Sequence, residues 1–359
     1  MKKVVNSPLL LFIPLLIIMI ISFMDMQNAK LLSSLYENNL IKQIIWYAVG
    51  FITIFIISKI NTTTILKYSK YYYWLSIILL VLVLFLGKET NGARAWFNFG
   101  IFSFQPSELT KLTLILYLSD IVARSKPDFK LILKVGILTL IPSILVFLEP
   151  DTGAIIFYLL SASIILYFAP IKKYWFIILG GIIFLFIITF ILLYIYNQDL
   201  LISLIGTSFF YRIERLVTFS TESSYQLENA LIVIGASTLF GTGLNKVSLY
   251  IPEAPTDFIF AFTIGNFGIV TGILVLLCYL CIDIFLIKQY FKQKNKKIKL
   301  VLISFISIFF FQQIINIGMN LGLLPIIGIP LPFLSYGGTT IIIYFLFLGI
   351  ILSLLNKSY

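Results

Sequence analysis

Leu227-Glu228-Asn229-Ala230-Leu231-Ile232-Val233-Ile234-Gly235-Ala236-Ser237-Thr238-Leu239-Phe240, closed by Gly241-Thr242-Gly243, is the stretch on which the fold turns. If it crossed a membrane, everything after it would be inverted. Its 14 residues fall short of the ~20 needed to span a hydrocarbon core, so it reads as a re-entrant or interfacial segment. A span here would also put the lysines of 288–299 opposite every other basic loop, against the tendency of Lys and Arg to collect in the cytoplasm.

Working outward, the chain has 359 residues, 60% of them hydrophobic and only 11% charged, with a mean hydropathy of +1.04. That composition excludes a soluble domain and predicts an all-α polytopic membrane protein. Ten spans are expected at about 8–23, 41–58, 73–87, 109–123, 131–148, 152–170, 174–196, 258–287, 299–323 and 336–355. The apolar run after Lys2-Lys3 lacks a small-residue cleavage site and is read as the first span rather than a removed signal. One set of loops then holds Lys2, Lys3, Lys59, Lys67, Lys70, Arg124, Lys126, Lys130, Lys134, Lys172, Lys173, the six lysines of 288–299 and Lys357. That is 18 of the 26 basic residues and predicts both termini in the cytoplasm. The net charge of +11 is mostly this bias, which removes the need for nucleic acid.

The chain contains no histidine, which excludes His-based acid–base chemistry and imidazole metal ligands. Cys278 and Cys281 sit three apart in an apolar run and read as packing residues. Chemistry is left to carboxylates, Arg, Lys, Tyr, Ser or a bound ion.

The outward loops hold nearly all the Pro, Gly and acidic punctuation. They are 24–40, 87–108, 149–153, a long one of roughly sixty residues at 197–257 between the seventh and eighth spans, and 325–338. Within the long loop, Tyr211-Arg212-Ile213-Glu214-Arg215-Leu216 suits a short interfacial helix. The loop ends in Tyr250-Ile251-Pro252-Glu253-Ala254-Pro255-Thr256-Asp257-Phe258-Ile259-Phe260, which puts two carboxylates at the mouth of a long apolar run. A charge there is costly unless it has a task, so Asp257 reads either as a catalytic carboxylate or as a helix cap, shared with Thr256.

Glu89, Glu108, Glu149, Asp151, Glu253 and Asp257 share one face with Arg94, Lys111, Arg212 and Arg215. Such a mixture suits an anionic, lipid-borne substrate whose phosphates are held by cations or through a divalent ion. A free carboxylate could then take a proton from an attacking hydroxyl. Each residue also has a structural reading. Glu108 and Lys111 are spaced for a local ion pair, Asp151 for a cap on the helix after it, and Arg94-Ala95-Trp96 for an interface anchor. Arg212 and Arg215 suit a solvated helix face.

Several blocks, in order, resemble the SEDS family of shape, elongation, division and sporulation proteins that includes RodA, FtsW and SpoVE. They are Asn91-Gly92-Ala93-Arg94-Ala95-Trp96, Phe104-Gln105-Pro106-Ser107-Glu108-Leu109-Thr110-Lys111, Glu149-Pro150-Asp151-Thr152-Gly153, Leu239-Phe240-Gly241-Thr242-Gly243-Leu244, Pro252 to Phe260, and Gly322 to Gly338 with Ser335 in it. The resemblance implies a single domain over 1–359 with ten transmembrane helices, in the bacterial cytoplasmic membrane. It implies a peptidoglycan glycosyltransferase that polymerises lipid II at the outer face, serving cell shape, division or sporulation. The acceptor's 4-hydroxyl attacks C1 of the donor sugar and undecaprenyl diphosphate leaves. The family's essential aspartate falls on Asp257, implied as the general base or as a residue positioning the acceptor. Arg94, Glu108, Lys111, Glu149, Asp151, Arg212, Arg215, Glu253 and Ser335 are implied in substrate binding or support. A class B penicillin-binding protein is the implied partner, within an elongation or division complex. No covalently bound cofactor is expected, and metal use stays open, with a divalent Mg or Mn cation as one way to meet the diphosphate.

Two departures stand out. Relatives often carry Gly-Glu-Glu where this chain has Ile264-Gly265-Asn266, and Arg directly before the Trp that matches Trp96, where this chain has Ala95. A lipid II flippase or transporter, and a non-catalytic scaffold for the penicillin-binding protein, remain as alternative readings.

Overall fold

A computed structural model describes residues 9–355 apart from 91–92, 101, 150, 173, 208–209, 211–224 and 247–248. The predicted interfacial helix at 211–216 lies outside the described residues. The described chain is a helical bundle. Its first half comprises α1 (Leu9–Ala29), α2 (Asn39–Lys59), α3 (Thr62–Lys67), α4 (Ser69–Leu86), α5 (Pro106–Arg124), α6 (Phe129–Leu148) and α7 (Thr152–Tyr167). Then come α8 (Tyr174–Tyr196), α9 (Gln198–Ile205), α10 (Tyr225–Gly235), α11 (Ile259–Lys292), α12 (Lys296–Asn320) and α13 (Gly338–Leu355). Six of these, α1, α2, α4, α6, α11 and α12, are long and apolar enough to cross a membrane. α8 adds 23 residues with no charged side chain. The chain is a multi-pass membrane protein.

Local sequence explains where the helices start. Asp128, Asp151, Asn197 and Asn295 each use a side-chain oxygen to satisfy a free N–H at the start of α6, α7, α9 and α12. Pro106 opens α5, where its missing N–H costs nothing. The bundle has two packed cores. One is built on α1, α2, α11, α12 and α13, the other on α4, α5, α6 and α7. At one end of the bundle, Asp120 pairs with Arg124 at 2.8 Å and with Lys297, tying α5 to α12.

Three features depart from the sequence reading. First, the loop after α4 is not irregular. β1 (Lys88–Thr90), β2 (Ala93–Asn98) and β3 (Ser103–Phe104) form an antiparallel sheet in that order. Asn91-Gly92, a hairpin-turn sequence between Thr90 and Ala93, was the available signal. Second, α1 runs on to Ala29, so Asp25 and Asn28 lie in a helix rather than in an outward loop, and both are fully buried. Asp25 accepts hydrogen bonds from Thr263 Oγ1 (2.7 Å) and Asn266 Nδ2 (3.4 Å). Polar partners across the helix interface remove the reason to end the helix before the acid.

Third, the stretch 227–240 is divided. Its first part lies in α10, an 11-residue helix, and the rest is a loop inserted into a break in α11 at Gly268 (φ 83°). Thr242 N and Gly243 N donate to Gly265 O and Asn266 O, while Ile269 N and Val270 N donate to Thr238 O and Leu239 O. The loop thus supplies partners for backbone groups freed by the break, the condition for irregular backbone within a membrane bundle. A Cβ on Gly268 would lie 2.1 Å from Leu239 O, so only glycine fits.

Candidate functional site

At the end of the bundle opposite the Asp120 ion pairs is a cavity of about 630 Å³. Converging on it are the sheet, the start of α5, the α6–α7 turn, the 253–257 turn and the segment 327–340 before and into α13. Among the described residues, its charged lining consists of Lys88, Glu108, Lys111, Asp151, Glu253 and Asp257.

On the α5–α7 side the charges are already engaged. Lys111 Nζ lies 2.6 Å from Glu108 Oε1, one helical turn away, with both side chains at most 9% exposed. The ammonium also sits 5.2 Å above the Phe157 ring. Asp151 Oδ2 accepts from Gln105 Nε2 and Ser107 Oγ, both at 2.9 Å, and Oδ1 accepts from Ala154 N at 3.3 Å. Both structural readings of these residues, local pair and helix cap, are therefore present in the fold, and the residues face the cavity as well. Glu149 is fully buried just behind, and neither carboxylate oxygen has a hydrogen-bond partner among the described residues. Burial, then the nearby Asp151 charge, pushes its pKa up to about 8.

The opposite wall is built differently. Glu253 adopts a left-handed backbone (φ 54°), and its carbonyl accepts from the N–H groups of Thr256, Asp257 and Phe258. The turn is fixed from behind. Asp257 O accepts from Asn316 Nδ2 (2.8 Å) and Asn320 Nδ2 (2.9 Å) on α12. Ser335 Oγ donates to Thr256 O at 2.6 Å and accepts from Leu331 N at 2.8 Å, while Tyr336 N donates to Pro255 O at 2.8 Å. Ser335 thus supports the backbone rather than facing the cavity. The helix that follows, α11, is entered at Phe258 with no side-chain cap, so neither Thr256 nor Asp257 serves as one.

The Asp257 carboxylate itself accepts no hydrogen bond from the described residues and lies on the cavity wall, against Gly328. A Cβ at Gly328, whose φ is +71°, would stand 3.4 Å from Asp257 Oδ2. Burial first, and the Glu253 charge second, raise the Asp257 pKa to about 7. A carboxyl poised near neutrality, backbone-clamped and side-chain free, is suited to taking a proton from a hydroxyl.

Arg94 is elsewhere. It is exposed on β2, pairs with Glu89 at 3.4 Å and is not part of the cavity lining. Arg212 and Arg215 lie outside the described residues. Sequence reasoning missed Asn316 and Asn320. With Gln312, they form an amide stripe at four-residue spacing along the largely apolar second half of this helix, and that spacing was the readable signal. Among the described residues, no group of three or more acidic or cysteine side chains is arranged to hold a metal ion.

Comparisons with known proteins bear on the family and the fold. The family described as cell cycle protein (FTSW_RODA_SPOVE) matches residues 4–359. The probable peptidoglycan glycosyltransferase FtsW of Wigglesworthia glossinidia brevipalpis is 32% identical over 87% of this chain and 82% of its own. The peptidoglycan glycosyltransferase MrdB of Helicobacter pylori is 28% identical over 98% and 90%. In fold, the chain is similar to the rod shape determining protein RodA of Thermus thermophilus, with a TM-score of 0.70 at 24% identity over 99% of this chain and 98% of that one. A chain from a peptidoglycan synthase complex gives a TM-score of 0.80 at 24% identity, over 97% of both chains.

Proposed function

The chain belongs to the FtsW, RodA and SpoVE family of cell cycle proteins, and from that premise we propose that it is a peptidoglycan glycosyltransferase polymerising lipid II into glycan strands. The observation that carries the assignment is the Asp257 carboxylate, held on the cavity wall without a protein partner among the described residues. It takes the proton from the acceptor hydroxyl as that oxygen attacks the anomeric carbon of the donor sugar, and the bond to the lipid diphosphate breaks. Lys88 and Lys111 are the described cations on the cavity wall and face the diphosphate charge. Glu108 and Asp151 hold Lys111 and the α5–α7 corner in place.

The reading includes ten membrane crossings, both termini in the cytoplasm and the cavity on the outer face of the bacterial plasma membrane. It is supported by the lysine-rich loops and by helices over all ten predicted spans. A class B penicillin-binding protein is the expected partner. A divalent cation, Mg or Mn, enters only as a companion of the substrate's diphosphate. Glu108 is paired to Lys111, Asp151 accepts three hydrogen bonds and the described residues form no preformed cage, so these residues do not fit a resident cation.

The test is purified protein, alone and with its penicillin-binding partner, supplied with lipid II and assayed for glycan chains. Polymer is expected. No polymer from the pair, together with lipid II translocation in vesicles, would replace this reading by a transporter.

A further inference from the structure

The sheet has two chemically distinct faces. Its register pairs Lys88 with Trp96 and Asn98 with Ser103 across the strands, and Trp96 and Asn98 are two apart on β2. Alternate residues of a strand share a face, and all four of these residues line the cavity; Arg94, at the far end of the same face, does not, and Ala93 reaches the cavity from the strand's start. Phe97 pairs with Phe104, and neither lines the cavity. The sheet's exposed tip is also aromatic. Phe99 is 59% and Phe102 42% exposed, and Phe102 meets Trp46 of α2 edge-on at 5.8 Å. The membrane-anchor role that the sequence offers Trp96 thus fits Phe99 and Phe102, while Trp96 lines the cavity.

We propose that the cavity-facing side of this sheet is a sugar-binding wall, with Trp96 stacking on a pyranose ring and Lys88 meeting the diphosphate borne by the same lipid-linked sugar. Pyranoses of the gluco series carry their substituents equatorially, so each ring face presents only axial C–H bonds. Such a face packs flat on an indole while its edges seek hydrogen bonds. Trp96 supplies the flat surface, and Asn98 and Ser103 supply edge partners beside it. Lys88, the cross-strand neighbour of Trp96, sets a positive charge at one end of the ring. Asp257 lines the same cavity, so a ring held on Trp96 would share that volume with the base.

This rests on the glycosyltransferase reading, and the experiment separates the two. Lipid II is titrated into the Asp257→Asn variant, which binds without turnover, and tryptophan emission is followed. Steady-state polymerisation is measured in otherwise native protein. Trp96→Ala is expected to raise KM for lipid II about tenfold, the size of an aromatic stacking contact, with kcat largely retained. Trp96→Phe is expected to keep a near-native KM but to lose the emission change on binding. Phe99→Ala, on the exposed tip, is the control and should leave KM unchanged. A native KM in Trp96→Ala, or an emission change that persists in Trp96→Phe, overturns the sugar wall while leaving the enzyme reading intact. Emission changes that depend on Trp96 in a protein that makes no polymer would support the wall and remove the polymerase.

Discussion

Two walls of one cavity hold their acids in opposite ways. On the α5–α7 wall, Glu108 is ion-paired to Lys111 and Asp151 accepts three hydrogen bonds. On the 253–257 wall, Glu253 Oε2 accepts from Thr256 Oγ1, the bonds from Ser335, Asn316 and Asn320 go to the backbone of Thr256 and Asp257, and none goes to the Asp257 carboxylate among the described residues. A carboxylate whose lone pairs are filled by the protein organises structure. One whose backbone is clamped and whose oxygens are left open can exchange a proton with substrate. Carboxylates stand on both walls, so what marks the base is an open carboxylate that also lines the cavity; Glu149 has no partner among the described residues either, but it is buried behind the wall.

Breaking the first wall should show as lost stability. Lys111→Met leaves Glu108 buried without its cation. It is expected to destabilise the protein by about 3–5 kcal/mol, read as a fall in thermal midpoint in detergent. Adding Glu108→Gln should recover much of that loss, since the uncompensated charge is then gone. On the second wall, Gly328→Ala forces a side chain into the left-handed region beside Asp257 Oδ2, at a cost of about 1–2 kcal/mol. Its polymerisation rate should fall further than its thermal midpoint suggests. The smallest effect is electrostatic. Asp257 titrates near pH 7 and acts as its anion, so activity should rise through neutrality and be lost as the pH falls. Glu253→Gln removes the charge that opposes ionisation and should move the midpoint of that rise to lower pH, read from rate against pH.

The unequal walls also explain what was legible in the sequence. Helix positions followed from hydropathy, because a 20-residue apolar run has few other uses. Glu108, Lys111 and Asp151 were legible with their structural roles, because an i,i+3 pair and a cap are local in sequence. The support of Asp257 was not legible, because it comes from Asn316, Asn320 and Ser335, more than fifty residues away. The Gly268 break escaped for the same reason. Its partners are loop groups at 238–243, and nothing in the apolar run around Gly268 announces them. The sheet after α4 was hidden by brevity, since β3 is two residues long and only the hairpin turn marks the place.

The most direct test compares Asp257→Asn with Asp151→Asn in one assay, each purified with the penicillin-binding partner and given lipid II. Asp257→Asn should bind lipid II and stay folded yet form chains about 10²–10⁴-fold more slowly, the contribution of a positioned general base. Asp151→Asn should lose thermal stability more than rate. Chain formation by Asp257→Asn at the native rate would contradict the assignment of the open carboxylate as the base.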